Sequence, residues 1–185
     1  MPDSRKVQYT RMVLADGLIE LMKTKPFDKI TVRELCDLAN VHRSTFYIHY
    51  EDIYALLRTI EDDALAWVCT SIAELSDKYQ ESDEAFLCSL ERLSECFVKN
   101  TRLQVLMSER GDVSFQKKVF GAAFQLRDHS KAKVGKLAKS LAEDLNFSFM
   151  VGGCVSMVQH WLKNGQKESP REIAQVVYDM TAAIR

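Results

Sequence analysis

Positions 42–50 read His-Arg-Ser-Thr-Phe-Tyr-Ile-His-Tyr, which crowds hydrogen-bond donors and aromatic rings onto one short segment. Phe46 and Tyr50, four apart, can share the inner side of a helix. Ser44, Tyr47 and Ile48 then point the other way, flanked by Arg43 and Thr45. A core helix would not place Arg-Ser-Thr and Tyr outward, and a merely solvated helix has no use for Tyr and Ile. Such a face suits the major groove of DNA, where guanidinium and hydroxyl groups meet phosphates and base edges. Catalytic chemistry has no comparable support. The sequence has no P-loop, no G-x-G-x-x-G, no H-E-x-x-H and no G-x-S-x-G. His42, His49, His129 and His160 are dispersed, and His160 and Cys154 do not stand at metal-ligand spacing. The expectation is a non-enzyme that carries neither cofactor nor metal.

The elements that must hold this face are legible upstream. Thr31-Val-Arg-Glu34 is a capping box, with the Thr hydroxyl on the Glu34 N–H and the Glu carboxylate reaching back. Leu35, Leu38 and Ala39 follow at i, i+3 and i+4, which predicts a short helix with one buried stripe. Asn40 sits where the chain must turn, and Asn tolerates left-handed backbone better than most residues. Val41 plugs the corner, and a second helix runs over 42–50. The pair reads as a helix-turn-helix.

These residues resemble the DNA-binding domain of the TetR family of bacterial transcriptional regulators. The run Arg43-Ser44-Thr45-Phe46-Tyr47-x-His49-Tyr50, then an acidic helix start and Leu56-Leu57, is similar to that family's recognition-helix pattern. Thr10 to Thr24 resembles its first helix, and Lys25 to Thr31 its approach to the second. Strong resemblance covers residues 5–60. It is looser downstream, chiefly in Trp161 to Gly165 and Glu168-Ser169-Pro170. Two departures stand out: Asn40 replaces the usual turn glycine, and Ile53 replaces the usual phosphate-contacting lysine at the start of the fourth helix. Each lost phosphate contact flattens the log–log salt dependence by nearly one unit. Arg5, Lys6 and Arg11, in an N-terminal arm, are the available compensation.

The resemblance implies an all-α fold: an N-terminal three-helix helix-turn-helix DNA-binding domain (1–52) followed by a helical ligand-binding and dimerisation domain (53–185). It also implies site roles. Thr31 and Tyr47 would hydrogen-bond phosphate oxygens, while Arg33 and Arg43 would reach base edges, guanine above all. Thr45 would lay its methyl on a thymine methyl, and Ser44 would approach closely. His49 would meet a phosphate, with His42 at the helix start. The implied partners are a double-stranded DNA operator, a second copy of the chain through its last two helices, and a small-molecule effector. The implied activity is that of a repressor released by that effector. The runner-up is an accessory coactivator that works by protein contact without operator binding, a reading kept by Ile53 and the modest charge of the head.

Over residues 1–50 eight basic side chains face six acids, while the whole chain carries a net charge of −1. A protein that coats nucleic acid regardless of sequence would be far more basic. Seven Gly and three Pro leave little room for a turn-rich sheet architecture. The start, Met-Pro-Asp-Ser-Arg-Lys, has no apolar run after its basic pair and does not read as a secretion signal. No stretch is long and apolar enough to span a bilayer, so a cytoplasmic protein without membrane contact is expected. Cys36, Cys69, Cys88, Cys96 and Cys154 are scattered without C-x-x-C and read as buried reduced thiols.

Beyond position 52 the periodicity stays helical. Ile53, Leu56, Leu57, Ile60, Ala64, Trp67, Val68, Ile72 and Leu75 trace a long helix with Glu51 and Asp52 in its first turn. Further helices are predicted over 83–99, 101–108, 113–143 (continuous or interrupted), 145–164 and 170–184, the last opened by a second capping box, Ser169-Pro170-Arg171-Glu172. Gly152 and Gly153 inside a helix cost about 1 kcal/mol each relative to Ala, which close approach of another helix would offset. In the resembled family that partner is the two-fold mate, with Trp161 and Val177 expected among the contacts. Trp67, Phe86, Phe97, Met107, Phe115, Phe120, Phe124, Met150 and Met157 are candidates to line an effector cavity, although such residues are more often core. The basic run Arg127, His129, Lys131, Lys133, Lys136 and Lys139 reads as a solvated face before it reads as an anion site.

Overall fold

Leu14, Leu18 and Met22 recur every four residues on the first helix, and all three are fully buried, with Ala15 and Ile19 beside them. That stripe makes α1 (Arg5–Thr24) the floor on which the next two helices pack. A computed structural model describes residues 5–108, 111, 113–133 and 141–182, the side chains of 113, 126–133 and 141–143 excepted. Every element among the described residues is helical. Arg5, Lys6 and Arg11, expected in an arm, are part of α1 itself.

A 3-10 turn, Phe27–Lys29, leads into α2 (Val32–Ala39), which the predicted capping box opens. The Glu34 N–H donates to the Thr31 hydroxyl at 3.2 Å, and the Thr31 N–H donates to Glu34 Oε2 at 3.0 Å. Asn40 ends α2 in the left-handed region at φ 51°, ψ 46°, so Asn serves where glycine is usual. The Val41 N–H then donates to the Cys36 carbonyl at 3.0 Å and closes the turn before α3 (Arg43–His49). Leu38 departs from expectation. The covered stripe of α2 is Val32, Leu35, Cys36 and Ala39, and at about 100° per residue Leu38 lies roughly 110° from its middle. It is 52% exposed. Gly17 went unnoticed in the sequence, yet a β-carbon there would stand 3.1 Å from Leu35 Cδ1 and 3.5 Å from Ala39 Cβ. The close crossing of α1 over α2 depends on it.

Asp52 caps α4 (Ile53–Glu81), its carboxylate accepting the Ala55 N–H at 2.7 Å. Glu51 and Asp52 thus precede the first turn instead of lying in it. At 1.5 Å per residue the 29-residue helix reaches about 43 Å. Ile53 is buried at its start, so this position is a core residue and not a surface substitute for a lysine. The remaining elements are α5 (Asp83–Lys99), α6 (Thr101–Met107), α7 (Val113–Lys133), α8 (Leu141–Lys163) and α9 (Pro170–Ala182). Gly165 at φ +76° and Gln166 at φ +54° stop α8, with the Gln166 N–H returning to the Trp161 carbonyl at 2.9 Å. Ser169 and Glu172 form the second capping box.

One apolar cluster runs unbroken from Leu14 and Phe46 through Leu56, Leu106 and Phe115 to Trp161 and Ile173. The head and the body share it. A smaller cluster of Phe86, Leu90 and Ala174, with Val177 against it, docks α9 on α5. Trp161 is the main correction here. It is buried within its own chain, stacked on Phe97 at 6.3 Å, and its indole N–H donates to the Glu168 carbonyl at 3.0 Å. It has no surface left for a second copy. The expected cavity set also divides: Phe86 belongs to the α5–α9 cluster, Met107 and Phe115 to the main core, and Phe124 packs edge-on against Phe147. Among the cysteines only Cys36 is buried, and Cys88 and Cys96 are exposed on the outer side of α5. The basic run from Arg127 lies outside the described side chains.

Candidate nucleic-acid interface

Phe46 is fully buried and Tyr50 nearly so, which orients α3 about its own axis. Turning at about 100° per residue from Phe46, Ser44 and Ile48 fall opposite it, Tyr47 to one side, and Thr45 and His49 to the other. Exposure follows that geometry. Arg43, Ser44, Tyr47 and Ile48 are exposed, whereas Thr45 and His49 are half-buried. The Tyr47 ring packs edge-on against Phe46 with centroids 5.3 Å apart, so its hydroxyl is carried on a ring fixed by the core. His42 is the exposed N-cap residue and makes no side-chain capping bond. Six of the eight predicted residues therefore lie on α3 or its cap. Thr31 and Arg33 stand at the far end of α2.

Charge on the head is sparser than the sequence count implies. Lys23 pairs with Glu20 at 2.7 Å, Lys25 with Glu34 at 2.6 Å and Lys29 with Asp28 at 3.2 Å. Arg33 is 3.8 Å from Asp37 one turn later, an exposed pair that contributes little and can be exchanged for another anion. Arg43 has no salt bridge among the described residues, and it is exposed on α3 itself. Ile53 supplies no charge, and the Asp52 carboxylate takes up the Ala55 N–H at the start of α4. Burial raises the Cys36 thiol and the Tyr50 phenol above their ordinary values, so both stay neutral near pH 7.

Thr31 is engaged more fully than expected. Its hydroxyl donates to Glu34 Oε2 at 2.9 Å while accepting the Glu34 N–H, so a phosphate would have to displace the carboxylate to gain that proton. The Lys25 ammonium, then the Thr31 hydroxyl and N–H, hold the Glu34 carboxyl down at about 2. A depressed carboxyl pKa contributes stability above its unfolded value, here about 4.5, and loses it as pH falls toward 2. The capping box should accordingly survive to unusually low pH. A carbon-13 NMR titration of the Glu34 carboxyl should find its midpoint near 2, and Lys25→Ala should move it upward. A midpoint at 4.5 in the parent would mean that the box does not persist in solution.

In the body, a half-open cleft of about 320 Å³ lies between α4 and α5, walled by Trp67 and by the Glu74–Arg92 pair. Among the described residues no group of three or more His, Cys, Asp or Glu side chains could hold a metal ion, and no helix is long and apolar enough to cross a membrane.

Residues 84–182 match a family described as the transcriptional regulator C-terminal region of TetR type. The chain belongs to the TetR family. Its helix-turn-helix head and its α5–α9 body are the two parts that a TetR-family regulator combines. An uncharacterized HTH-type transcriptional regulator, YxbF of Bacillus subtilis (strain 168), is 22% identical over 190 residues. The alignment covers 100% of this chain and 47% of YxbF, so the chain spans about half the length of that relative. A TetR transcriptional regulator from Streptococcus agalactiae 2603V superposes with a TM-score of 0.64 at 24% identity over 95% of both chains. The regulator FadR from Bacillus subtilis, solved in complex with stearoyl-CoA, gives 0.63 at 14% identity over 91% of this chain and 96% of that one. At such identities the two structures establish the fold, which is the TetR-family all-α arrangement.

Proposed function

We propose that this TetR-family protein is a dimeric, cytoplasmic, sequence-specific DNA-binding repressor that a small-molecule effector releases from its operator. One observation carries the reading: the core turns Phe46 inward and leaves Arg43, Ser44, Tyr47 and Ile48 exposed on one short helix. Residues 1–52 form the DNA-binding head and 53–185 the regulatory and dimerisation body. Arg43 donates to a guanine edge and Tyr47 to a phosphate, with Ser44, Thr45, His42 and His49 closing the contact and Arg33 reaching in from α2. Thr31 reaches a phosphate only by giving up its bond to Glu34.

The dimer forms through α8 and α9. Phe149 is 73% exposed on α8, with Leu145 one turn before it, and Val176 and Met180 are exposed on α9. The paired glycines support the same face. A β-carbon at Gly152 would touch Phe120 of its own chain, whereas one at Gly153 would meet nothing within 4 Å among the described residues, which leaves room for a second helix. Two α3 helices held about 34–36 Å apart would read successive major-groove faces. An effector must favour one head spacing over another by a real free energy, and α4, which joins head to body, is the element that would carry the difference.

A coactivator that never touches an operator is the second reading, supported by buried Ile53 and by the acid cap at Asp52. A mobility-shift assay on the promoter region around the chain's own gene separates the two. Arg43→Ala and Tyr47→Phe should each weaken the shift about tenfold or more while the dimer stays folded. Parent protein that leaves every such duplex unshifted would favour the coactivator. Variants that bind like the parent would overturn the residue roles alone.

A further inference from the structure

The most exposed large apolar side chain among the described residues is Ile48, at 77%, and it stands on α3 opposite Phe46. Its surroundings make the placement unusual. β-Branched residues are mediocre helix formers, and a solvated Ile in the middle of a seven-residue helix contributes nothing to the core. The branched side chain has little χ1 freedom, so it offers its methyl groups in a nearly fixed direction.

The chemistry of the face narrows what those methyls could meet. The segment Arg43–His49 contains no Asn or Gln to grip adenine in two places and no carboxylate to accept from cytosine. Arg43 provides for guanine. The only apolar feature in the major groove is the C5-methyl group of thymine. Thr45, whose methyl was the sequence-based candidate for that contact, lies half-buried on the flank, while Ile48 faces straight out. Resting on the operator-binding reading above, we infer that Ile48 is a specificity-determining residue that packs on one thymine methyl in each half-site, so that the operator pairs a guanine facing Arg43 with a thymine facing Ile48.

Deoxyuridine tests this directly, because it differs from thymidine only by that methyl. Duplexes bound by the full 185-residue chain are selected from a random-sequence library, and each thymine is then replaced by deoxyuridine and the dissociation constant read by fluorescence anisotropy. One position per half-site should weaken parent binding about fourfold, the worth of one methyl-sized group, and about fifteenfold when both half-sites are changed. Ile48→Ala should bind the thymine operator as weakly as the parent binds the deoxyuridine one, and should show no penalty at those positions. No penalty in the parent, or an equal penalty in parent and Ile48→Ala, would overturn the Ile48 assignment while operator binding stands. A library that yields no enriched duplex would end operator binding itself, and this inference with it.

Discussion

Lys118→Ala should cost the folded protein about 3 kcal/mol, although the lysine lies on α7 and outside the recognition helix. The reason is Glu61, on α4. Its side chain is 2% exposed, Oε2 accepts the Lys118 ammonium from α7 at 2.6 Å, and Oε1 has no hydrogen-bond partner among the described residues. Removing the lysine strands a buried carboxylate without the one ion-pair partner it has among the described residues. The usual cost of breaking a buried pair is about 3–5 kcal/mol, and the lower end applies because the Lys118 side chain is itself 38% exposed and reaches water. A pair of this kind does not have to be net stabilising. Glu61→Leu combined with Lys118→Ala should therefore recover most of the loss, since leucine approximates the glutamate's volume and leaves no charge behind. Urea midpoints of the parent, the single variant and the double variant decide the matter. A single variant within about 0.5 kcal/mol of the parent would show that the pair is immaterial.

Phe46→Ala should cost about 3–5 kcal/mol, a large share of the 5–15 kcal/mol that holds a domain together. The ring is fully buried and packs on Tyr47 at 5.3 Å and Tyr50 at 5.8 Å, so its removal opens a cavity between α3 and the rest of the head. Because one apolar cluster joins Phe46 to Trp161, the loss should not stay local. Far-UV circular dichroism and the fluorescence of Trp67 and Trp161 should shift together in urea. Two separate transitions would mean that head and body unfold independently, contrary to the shared core. Phe46→Leu fills most of the space and should cost about 1.5 kcal/mol or less, with the outward face of α3 intact.

Much of the head was legible in the sequence because its signals are local. The Thr31 to Glu34 box, the turn at Asn40 and the four-residue spacing of Phe46 and Tyr50 all act within one or two helical turns, and the structure has each of them. The same holds for 83–99 and for the Ser169 to Glu172 box, where the structure places α5 and the start of α9. Leu38 shows where local reading stops. Its i+3 spacing from Leu35 suited a buried stripe, but the direction from which α1 approaches α2, set by the contact at Gly17, covers Cys36 instead.

What the sequence alone determined is where the two capping boxes open α2 and α9, where the chain turns at Asn40 and which side of the recognition helix turns outward, since capping, turn conformation and helical period depend only on neighbours in the chain. The tertiary structure decided which of the remaining surfaces stay free. Trp161 was expected at an interface and is stacked beneath Phe97, Ile53 stands in the core where a surface cation was looked for, and Glu61 is paired across two helices. Each of those outcomes depends on a side chain brought in from a distant part of the chain, and helical periodicity carries no information about what arrives to cover a face.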